Sequence, residues 1–555
     1  MAHDQPGPEP ASCASIARSL RRGSSIARNH FAATARRTTV NATAAMTTAA
    51  TTTTVPGPVP VPATRGRGRR SAYDAIVVGS GVGGSVTAGL LAAAGQRVLV
   101  IEKNPSLGGV LASYRRDGFK IDVGSHLISR GDRGALGVAL RRAGLDRPRF
   151  LTHPIPVRSR GMFEITAPPT RGGLPAVALE AARALHLPWR DRARLARMMV
   201  QVFTLTELEL RRWDRRTLDD FVRQHTEHPG AYFLFSFLAS IFFVLPPWQV
   251  SAGEAIRCLR WVLKAYRLSY VEGGMDSLAH ALLGPVAATG GDLLVGRQVT
   301  AIAPRQAGRD LTVVTDDGAE YTAPAVACNL AADDALELLE GAELPAGYLT
   351  RVAGLRGSGN AHQIKLALRR PLVDEGCIIG GVSLAGLTLA DLSLDLMRST
   401  VTAIDAGRIS DPLAIYAPVP SNYDPSLAPP GGQLIVASVY GPVRADPADP
   451  PARWRERAMA ALRQIIPHLD DELVFAEFTP IAAVAGWMGK TNRGAICNGQ
   501  FPGQVGRDRL PVTTPVPGLY LCGDGAGGRG IGTELAEASA MEVVDAIAAH
   551  ATGAA

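Results

Sequence analysis

The chain has 555 residues, of which 46% are hydrophobic and 19% charged, a balance that excludes a fully disordered protein and allows more than one packed module. Its six cysteines include no C-x-x-C pair, so neither a zinc site nor a disulfide framework is expected, and no metal is predicted. The net charge of +8 resides in residues 1–72, whereas residues 73–555 are formally neutral. The charge therefore does not predict a nucleic-acid surface.

Residues 1–72 are rich in Ala, Thr, Ser and Arg and poor in large apolar side chains, a composition that predicts a disordered tail. An arginine- and serine-rich segment with few acids is also typical of an organellar transit peptide. A third interpretation is an extension ahead of a start at Met46. No secretory signal is predicted, because no continuous apolar run occurs near Met1. A cytoplasmic protein is expected, with plastid import as the alternative.

The next segment predicts a strand–turn–helix–strand unit that ends in an acid. A short apolar strand at 74–78 leads into a glycine-rich turn, a helix at 85–94 and a second buried strand at 97–101. Glu102 follows at the distance that suits an acceptor of ribose hydrogen bonds. The whole context, rather than the glycines alone, indicates dinucleotide binding.

Each glycine of the turn has its own expected role. Gly79 allows the tight turn, Gly81 lets the backbone approach a pyrophosphate, and Gly84 lets the helix pack closely on the strand. The unpaired amides of the first helical turn would face the phosphates. Val82 and Gly83 are therefore also assigned to the cofactor.

The following motifs resemble those of the flavoprotein superfamily of amine oxidases, phytoene desaturases, carotenoid isomerases and retinol saturases. Lys103 begins a stretch that contains the pair Gly108-Gly109, and an Asp-Val-Gly turn brings in Gly124 and Ser125. In that superfamily the glycine pair lets the chain run along FAD, and the Asp-x-Gly turn passes the isoalloxazine. The resemblance therefore implies FAD rather than a nicotinamide.

Two later blocks extend the resemblance to roughly residues 73–550. The run at 270–278 is similar to the family's glycine–Met helix, and Val299 matches the strand whose backbone meets the adenine. At the far end, a strand at 519–522 precedes Gly523-Asp524, whose acid is implied to contact the ribityl or phosphate part. The glycine-rich loop before a final helix at 533–550 is implied to lie against the flavin ring, through Gly530, Ile531 and Gly532.

The predicted fold class is α/β, a Rossmann-type FAD-binding domain with an inserted α+β substrate domain. Its predicted parts are a tail at 1–72, FAD-binding segments at 73–126, 271–335 and 491–555, a mainly helical insertion at 127–270, and a substrate-domain sheet with helices at 336–490. Within the insertion, residues 231–245 are the most apolar run, too short to span a bilayer. They are interpreted as a buried helix or as the lining of an apolar tunnel.

The resemblance implies an oxidoreductase resembling phytoene desaturase that acts on a hydrophobic polyene or isoprenoid at a membrane surface. His126 is the candidate acid or base, and a structural histidine is the alternative. A polyene saturase or isomerase, a flavin amine oxidase and a prenyl-binding protein without FAD are the alternatives. The final loop offers Arg529 and Ile531 where an amine oxidase would be expected to have aromatic residues. Redox direction and oligomeric state stay open.

Overall fold

The computed structural model describes residues 71–124, 127–305, 310–443, 448–490 and 493–552, so the expectations for the tail fall almost wholly outside it. The strands are β1 (Ala75–Val78), β2 (Val98–Glu102), β3 (Ser113–Arg116), β4 (Phe119–Asp122), β5 (Phe150–Leu151), β6 (Arg158–Gly161), β7 (Ile165–Thr166), β8 (Tyr270–Val271), β9 (Asp292–Val295), β10 (Val299–Ala303), β11 (Leu311–Thr315), β12 (Glu320–Ala323), β13 (Val326–Cys328), β14 (Asn360–Leu368), β15 (Cys377–Val382), β16 (Leu413–Pro418), β17 (Gln433–Gly441), β18 (Leu473–Thr479) and β19 (Leu519–Leu521). The helices are α1 (Val82–Ala93), α2 (Ala135–Arg142), α3 (Leu174–Ala184), α4 (Trp189–Thr204), α5 (Glu207–Trp213), α6 (Leu218–Val222), α7 (Pro229–Phe243), α8 (Ala252–Ala265), α9 (Asp276–Ala288), α10 (Ala332–Glu337), α11 (Ala346–Ala353), α12 (Leu394–Asp405), α13 (Pro420–Tyr423), α14 (Pro451–Ile465), α15 (Leu469–Glu472), α16 (Ile481–Met488) and α17 (Thr533–Ala551).

A parallel sheet assembles from three distant parts of the chain in the order β19–β13–β1–β2–β9. Both faces of β1 and β2 are buried, as their unbroken apolar sequences require. Helix α1 packs against α9 and α17 on one face, and the β10–β11–β12 sheet shares a core with the other. This arrangement confirms the expected α/β class and its Rossmann-type sheet.

A second sheet has the order β18–β14–β17–β16–β15–β6–β7. The nine-residue strands β14 and β17 pair antiparallel over their whole length, with Leu366 opposite Ile435. Strands β6 and β7 come from the segment predicted to be mainly helical, and β6 joins β15 in parallel, with Ser159 opposite Ile379. The edge of this sheet thus comes from a part of the chain that the sequence did not assign to it.

Helices α7 and α8 share an apolar cluster that includes Phe243 and Ala255. The predicted apolar run forms α7, which begins with Pro229 and ends at Val244 in a left-handed conformation with φ of +51°. The Ser251 hydroxyl accepts a hydrogen bond from the Glu254 amide at 3.3 Å and so caps α8. Among the described helices, none combines the length and the apolar character that crossing a membrane requires.

Candidate functional site

The turn after β1 leaves the amino-terminal end of α1 open toward a large cavity. Gly79 has φ of +87°, a conformation that favours glycine, and Gly81 directly precedes the helix. No side chain in the described ranges caps α1, so the amides of Val82 and Gly83 remain for a ligand. A Cβ on Gly84 would overlap the Gly79 carbonyl oxygen, which explains why this helix needs glycine to pack on the turn.

Asn329 follows β13 and stands among the glycines of two segments. A Cβ added to Gly81 would lie 2.6 Å from Asn329 Nδ2, and one added to Gly83 would lie 2.7 Å from Asn329 Oδ1. The Gly83 Cβ would also come within 2.6 Å of the Gly523 Cα. Asn329 therefore defines how closely the first and last segments approach. Sequence reasoning missed it, because a lone asparagine after a strand is not part of a recognisable motif.

The Glu102 carboxylate is buried at the end of β2 and lines the cavity. Its Oε2 accepts hydrogen bonds from the Ser80 amide at 2.8 Å and the Ser80 hydroxyl at 2.7 Å, and its Oε1 accepts one from the Asn104 amide at 2.9 Å. The Ser80 Oγ in turn accepts a hydrogen bond from the Gly108 amide at 3.0 Å. Ser80, which was not predicted, thus fixes Glu102 relative to the glycine turn.

Helix α16 covers the stretch after Glu102. Trp487 Nε1 donates to the Gly109 carbonyl at 3.0 Å, and Lys103 Nζ donates to the Gly486 carbonyl at 3.1 Å. Asn104 Nδ2 donates to the Trp487 carbonyl at 3.0 Å. Lys103 and Gly109 both line the cavity, so their hydrogen bonds with α16 fix part of the cavity wall.

A partly exposed ion pair stands beyond the carboxyl end of β19, at the same end of the parallel sheet as the glycine turn after β1. Lys490 Nζ lies 2.6 Å from Asp524 Oδ2, and the Cys497 amide donates to the same oxygen at 2.8 Å. Burial alone would raise the pKa of Asp524, but the Lys490 ammonium and these hydrogen bonds outweigh it and lower the pKa. Asp524 was predicted to contact the cofactor, whereas its partner Lys490 was not.

The loop before α17 is held by contacts with Glu254 and Gln500. Arg529 pairs with Glu254, a residue of α8, and the Gly530 amide donates to Glu254 Oε1 at 3.3 Å. Gln500 Nε2 donates to the Gly530 carbonyl at 2.9 Å. Arg529 therefore turns toward α8, while Ile531 lines the cavity.

The structure brings most of the predicted cofactor residues to one cavity. Its lining includes Gly79, Gly81, Val82, Gly83, Glu102, Lys103, Gly109, Gly124, Val299, Asp524, Ile531 and Gly532. Four further predicted residues are described but stand behind this lining, namely Gly84, Gly108, Gly523 and Gly530. Ser125 and His126 lie outside the described residues, so their roles stay predictions.

The cavity has a volume of about 1760 Å³ and changes character along its length. Beyond the glycine turns its wall is formed by apolar side chains of α7 and α8 and by the second sheet. These residues include Leu234, Leu238, Ile241, Phe242, Leu259, Val262, Leu263, Ile379, Ile415, Tyr416 and Tyr440. The cavity is larger than the roughly 300–1,000 Å³ of a typical small-molecule pocket, which leaves room for a dinucleotide and a second, apolar ligand.

The polar end of this cavity fits FAD. It offers the uncapped amides of α1, a buried carboxylate at Glu102 and the start of α17 at Thr533, which lines the cavity without a side-chain cap in the described part of the chain. Helix starts of this kind carry positive partial charge, which suits a pyrophosphate and the electron-rich edge of a flavin.

Comparison with known proteins gives the same cofactor. A family model described as flavin containing amine oxidoreductase matches residues 83–548. An oxidoreductase from Methanosarcina mazei superposes with a TM-score of 0.61 over 85% of this chain and 99% of that one, at 19% identity. Putrescine oxidase superposes with a TM-score of 0.55 over 87% of this chain and 99% of that one, at 14% identity. These likenesses show the fold.

Curated relatives match over short stretches. Prolycopene isomerase of Daucus carota is 50% identical over 72 residues, which are 13% of this chain and 12% of that protein. All-trans-retinol 13,14-reductase of Homo sapiens is 42% identical over 64 residues, 12% and 10% of the two chains. The chain thus aligns with only about a tenth of the length of these relatives. The family match covers most of the chain, and the protein belongs to the flavin-containing amine oxidoreductase family as an FAD-dependent oxidoreductase.

Proposed function

We propose that the protein acts on carbon–carbon bonds of a hydrophobic polyene or isoprenoid of the carotenoid type, in a reaction resembling that of phytoene desaturase. The observation that carries this proposal is the apolar continuation of the cofactor cavity between α7, α8 and the second sheet. A long hydrocarbon gains free energy by leaving water for such a wall.

In this proposal the predicted residues hold the cofactor. Glu102 accepts from the ribose, the α1 amides bind the pyrophosphate, Val299 meets the adenine and Asp524 binds the ribityl or phosphate part. When bound, FAD supplies hydride transfer at its ring. The chain's own contribution is to orient the substrate along the apolar wall and to exclude water.

Two tyrosines supply polar contacts in the apolar part. Burial raises the pKa of Tyr416 and of Tyr440 well above the usual range, and both hydroxyls are protonated at neutral pH. Each can hydrogen-bond to an oxygen on the substrate or to an ordered water, but neither is a base at neutral pH. The proposed acid or base stays His126.

A second candidate is a polyene isomerase or saturase. The short matches to a prolycopene isomerase and a retinol reductase favour it, because both names describe polyene chemistry on the same fold family. The amine oxidase alternative is disfavoured, because Arg529 occupies the expected aromatic position and pairs with Glu254. The prenyl-binding alternative without FAD does not agree with the family match.

The test is anaerobic mixing of the FAD-loaded protein with phytoene in vesicles, followed by its absorbance spectrum and product analysis. Bleaching of the flavin with new conjugated product supports the desaturase. Reoxidation of a chemically reduced flavin by a polyene supports the saturase, and geometric isomerisation without net redox change supports the isomerase. Bleaching by putrescine but by no polyene would overturn the proposal.

The proposed partners are an apolar small molecule and a peripheral membrane contact, without nucleic acid. Some curated relatives are named as chloroplastic, including that of Arabidopsis thaliana, which agrees with the plastid-import alternative. Cytoplasmic and plastid locations are distinguished by following a fluorescent fusion of the full chain and of one that lacks residues 1–70.

A further inference from the structure

Helix α4 presents a stripe of apolar side chains to solvent. Trp189, Ala193, Ala196, Val200 and Phe203 recur at alternating intervals of four and three residues, which places them on one face of a helix. Trp189 is 73% exposed, Val200 62% and Phe203 53%. A soluble surface seldom gathers such side chains in a line without a partner.

This outward stripe is additional to the face that joins α4 to the core. Met198 and Val202 are buried in a cluster that also contains Ile256 of α8. Helix α4 therefore packs on the protein through one apolar face and carries a second apolar face that is exposed. Within the described residues no segment covers that second face.

Arginines flank the exposed stripe. Arg190, Arg192, Arg194 and Arg197 are all exposed, and the helix has one acid, Asp191. Asp191 lies 3.5 Å from Arg194 and also accepts a hydrogen bond from the Thr226 hydroxyl at 3.3 Å. A second copy docked through this face would oppose arginines to arginines, whereas an anionic surface would complement them.

The stripe lies next in the chain to a helix that forms part of the cavity wall. Helix α3 precedes α4, and its Leu174, Val177 and Ala181 line the cavity. Ala178 both lines the cavity and is exposed, and Leu179 beside it is 45% exposed. At α3 the cavity wall is therefore a single helix with an exposed outer side.

We propose that α4 docks this protein onto the surface of an anionic lipid bilayer, with its apolar stripe in the interface and its arginines at the headgroups. Interfacial helices combine these features, an apolar face with flanking basic residues. The cavity wall at α3 is then held near the membrane. Docking rests on the exposed side chains alone, whereas transfer of substrate from the bilayer also rests on the proposed function.

The experiment is flotation of the FAD-loaded protein with phosphatidylcholine vesicles that contain or lack phosphatidylglycerol. We expect binding only to the anionic vesicles, weakened by salt. The combined variant Trp189→Ser, Val200→Ser, Phe203→Ser should lose flotation. Changing Arg190, Arg194 and Arg197 to Gln should weaken partitioning by roughly 5-fold for each arginine, the factor that corresponds to about 1 kcal/mol. Arg192 is left unchanged, because it donates to the Leu187 carbonyl at 2.7 Å.

The matched control changes exposed apolar residues on other surfaces, Val138→Ser, Leu349→Ser and Val474→Ser, and should bind vesicles like the wild type. Quenching of tryptophan fluorescence by brominated lipid should largely disappear in Trp189→Phe. Unchanged flotation of the serine variant at normal flavin content would overturn the proposal. So would a dimer that the same variant abolishes, since a second copy would then be the occupant. Failure of phytoene turnover would leave the vesicle result unaffected.

Discussion

At the cofactor end, single polar side chains hold segments that are far apart in the chain. Asn329 stands between the first glycine turn and Gly523, and Ser80 joins Glu102 to Gly108. Lys490 pairs with Asp524 at the wall of the cavity. Because a single side chain makes each of these contacts, replacing that side chain has a specific expected effect.

The glycines at 81 and 83 should differ in their tolerance of a methyl group. In Gly83→Ala the new Cβ meets the backbone of Gly523, which cannot move away easily, whereas in Gly81→Ala it meets only the end of the Asn329 side chain. We expect Gly83→Ala to lose most bound flavin and Gly81→Ala to retain more. The ratio of flavin to protein absorbance measures this, and equal retention would contradict the steric argument.

Replacing Lys490 should leave the Asp524 carboxylate without its cation. Breaking a fully buried pair costs about 3 kcal/mol or more. Because these side chains are 20% and 17% exposed and face the cavity, Lys490→Met should lower the free energy of unfolding by less, about 1–2 kcal/mol. The double variant Lys490→Met, Asp524→Asn should recover much of the loss, because no lone charge remains. Urea unfolding of the flavin-free proteins measures both. A double variant less stable than the single one would rule out this account.

At the scale of elements, β14 carries a histidine into the core of the second sheet. His362 stacks on Trp454 with a centroid distance of 4.6 Å and on Phe478 at 5.4 Å. Burial lowers the pKa of His362 to about 3. The folded state thus holds this imidazole neutral, whereas the unfolded chain takes up a proton near pH 6.5.

Because of this residue, the free energy of unfolding should therefore decrease as the pH is lowered. The contribution of His362 is complete above about pH 6.5 and is lost as the pH falls toward 3, by up to about 1.4 kcal/mol for each pH unit. We expect His362→Asn, which keeps an acceptor for the Ile481 amide, to lower stability at pH 7.5 but to flatten the decline between pH 6.5 and 5. Thermal melts across this range measure the slope. An unchanged slope in His362→Asn would contradict this account.

The sequence predicted elements well where a pattern was local. The strand at 74–78, the apolar run that forms α7 and the final helix were found because periodicity and glycine turns mark them. Pairing between β6 and β15 was not predictable, because it joins residues more than two hundred positions apart and nothing in either strand specifies the partner. For the same reason the glycine motifs indicated the cofactor, but Asn329 and Lys490 emerged only from the fold.

At the scale of the whole molecule, one cavity joins the polar glycine turns to an apolar chamber between two sheets. Narrowing that chamber should slow the reaction with substrate and leave the amount of bound cofactor unchanged. Val262→Trp places a large ring at the α8 wall and should slow flavin reduction by a long polyene at least about 10-fold, the factor for 1.4 kcal/mol of lost stabilisation. Stopped-flow absorbance measures the rate, with Val138→Trp on the outer surface as control. A loss of bound FAD in Val262→Trp as large as its loss in reduction rate would contradict the separation of the cofactor end from the apolar chamber.

The parallel sheet also has a consequence for synthesis of the protein. Strand β13 lies between β1 and β19, and β19 with α17 is translated after every other strand of this sheet. The edge of β13 therefore stays unpaired while the residues between Cys328 and Leu519 are translated, and its apolar strand needs protection during that time. A nascent chain stalled before residue 519 should bind chaperones and retain no flavin, whereas one released after 552 should acquire the cofactor.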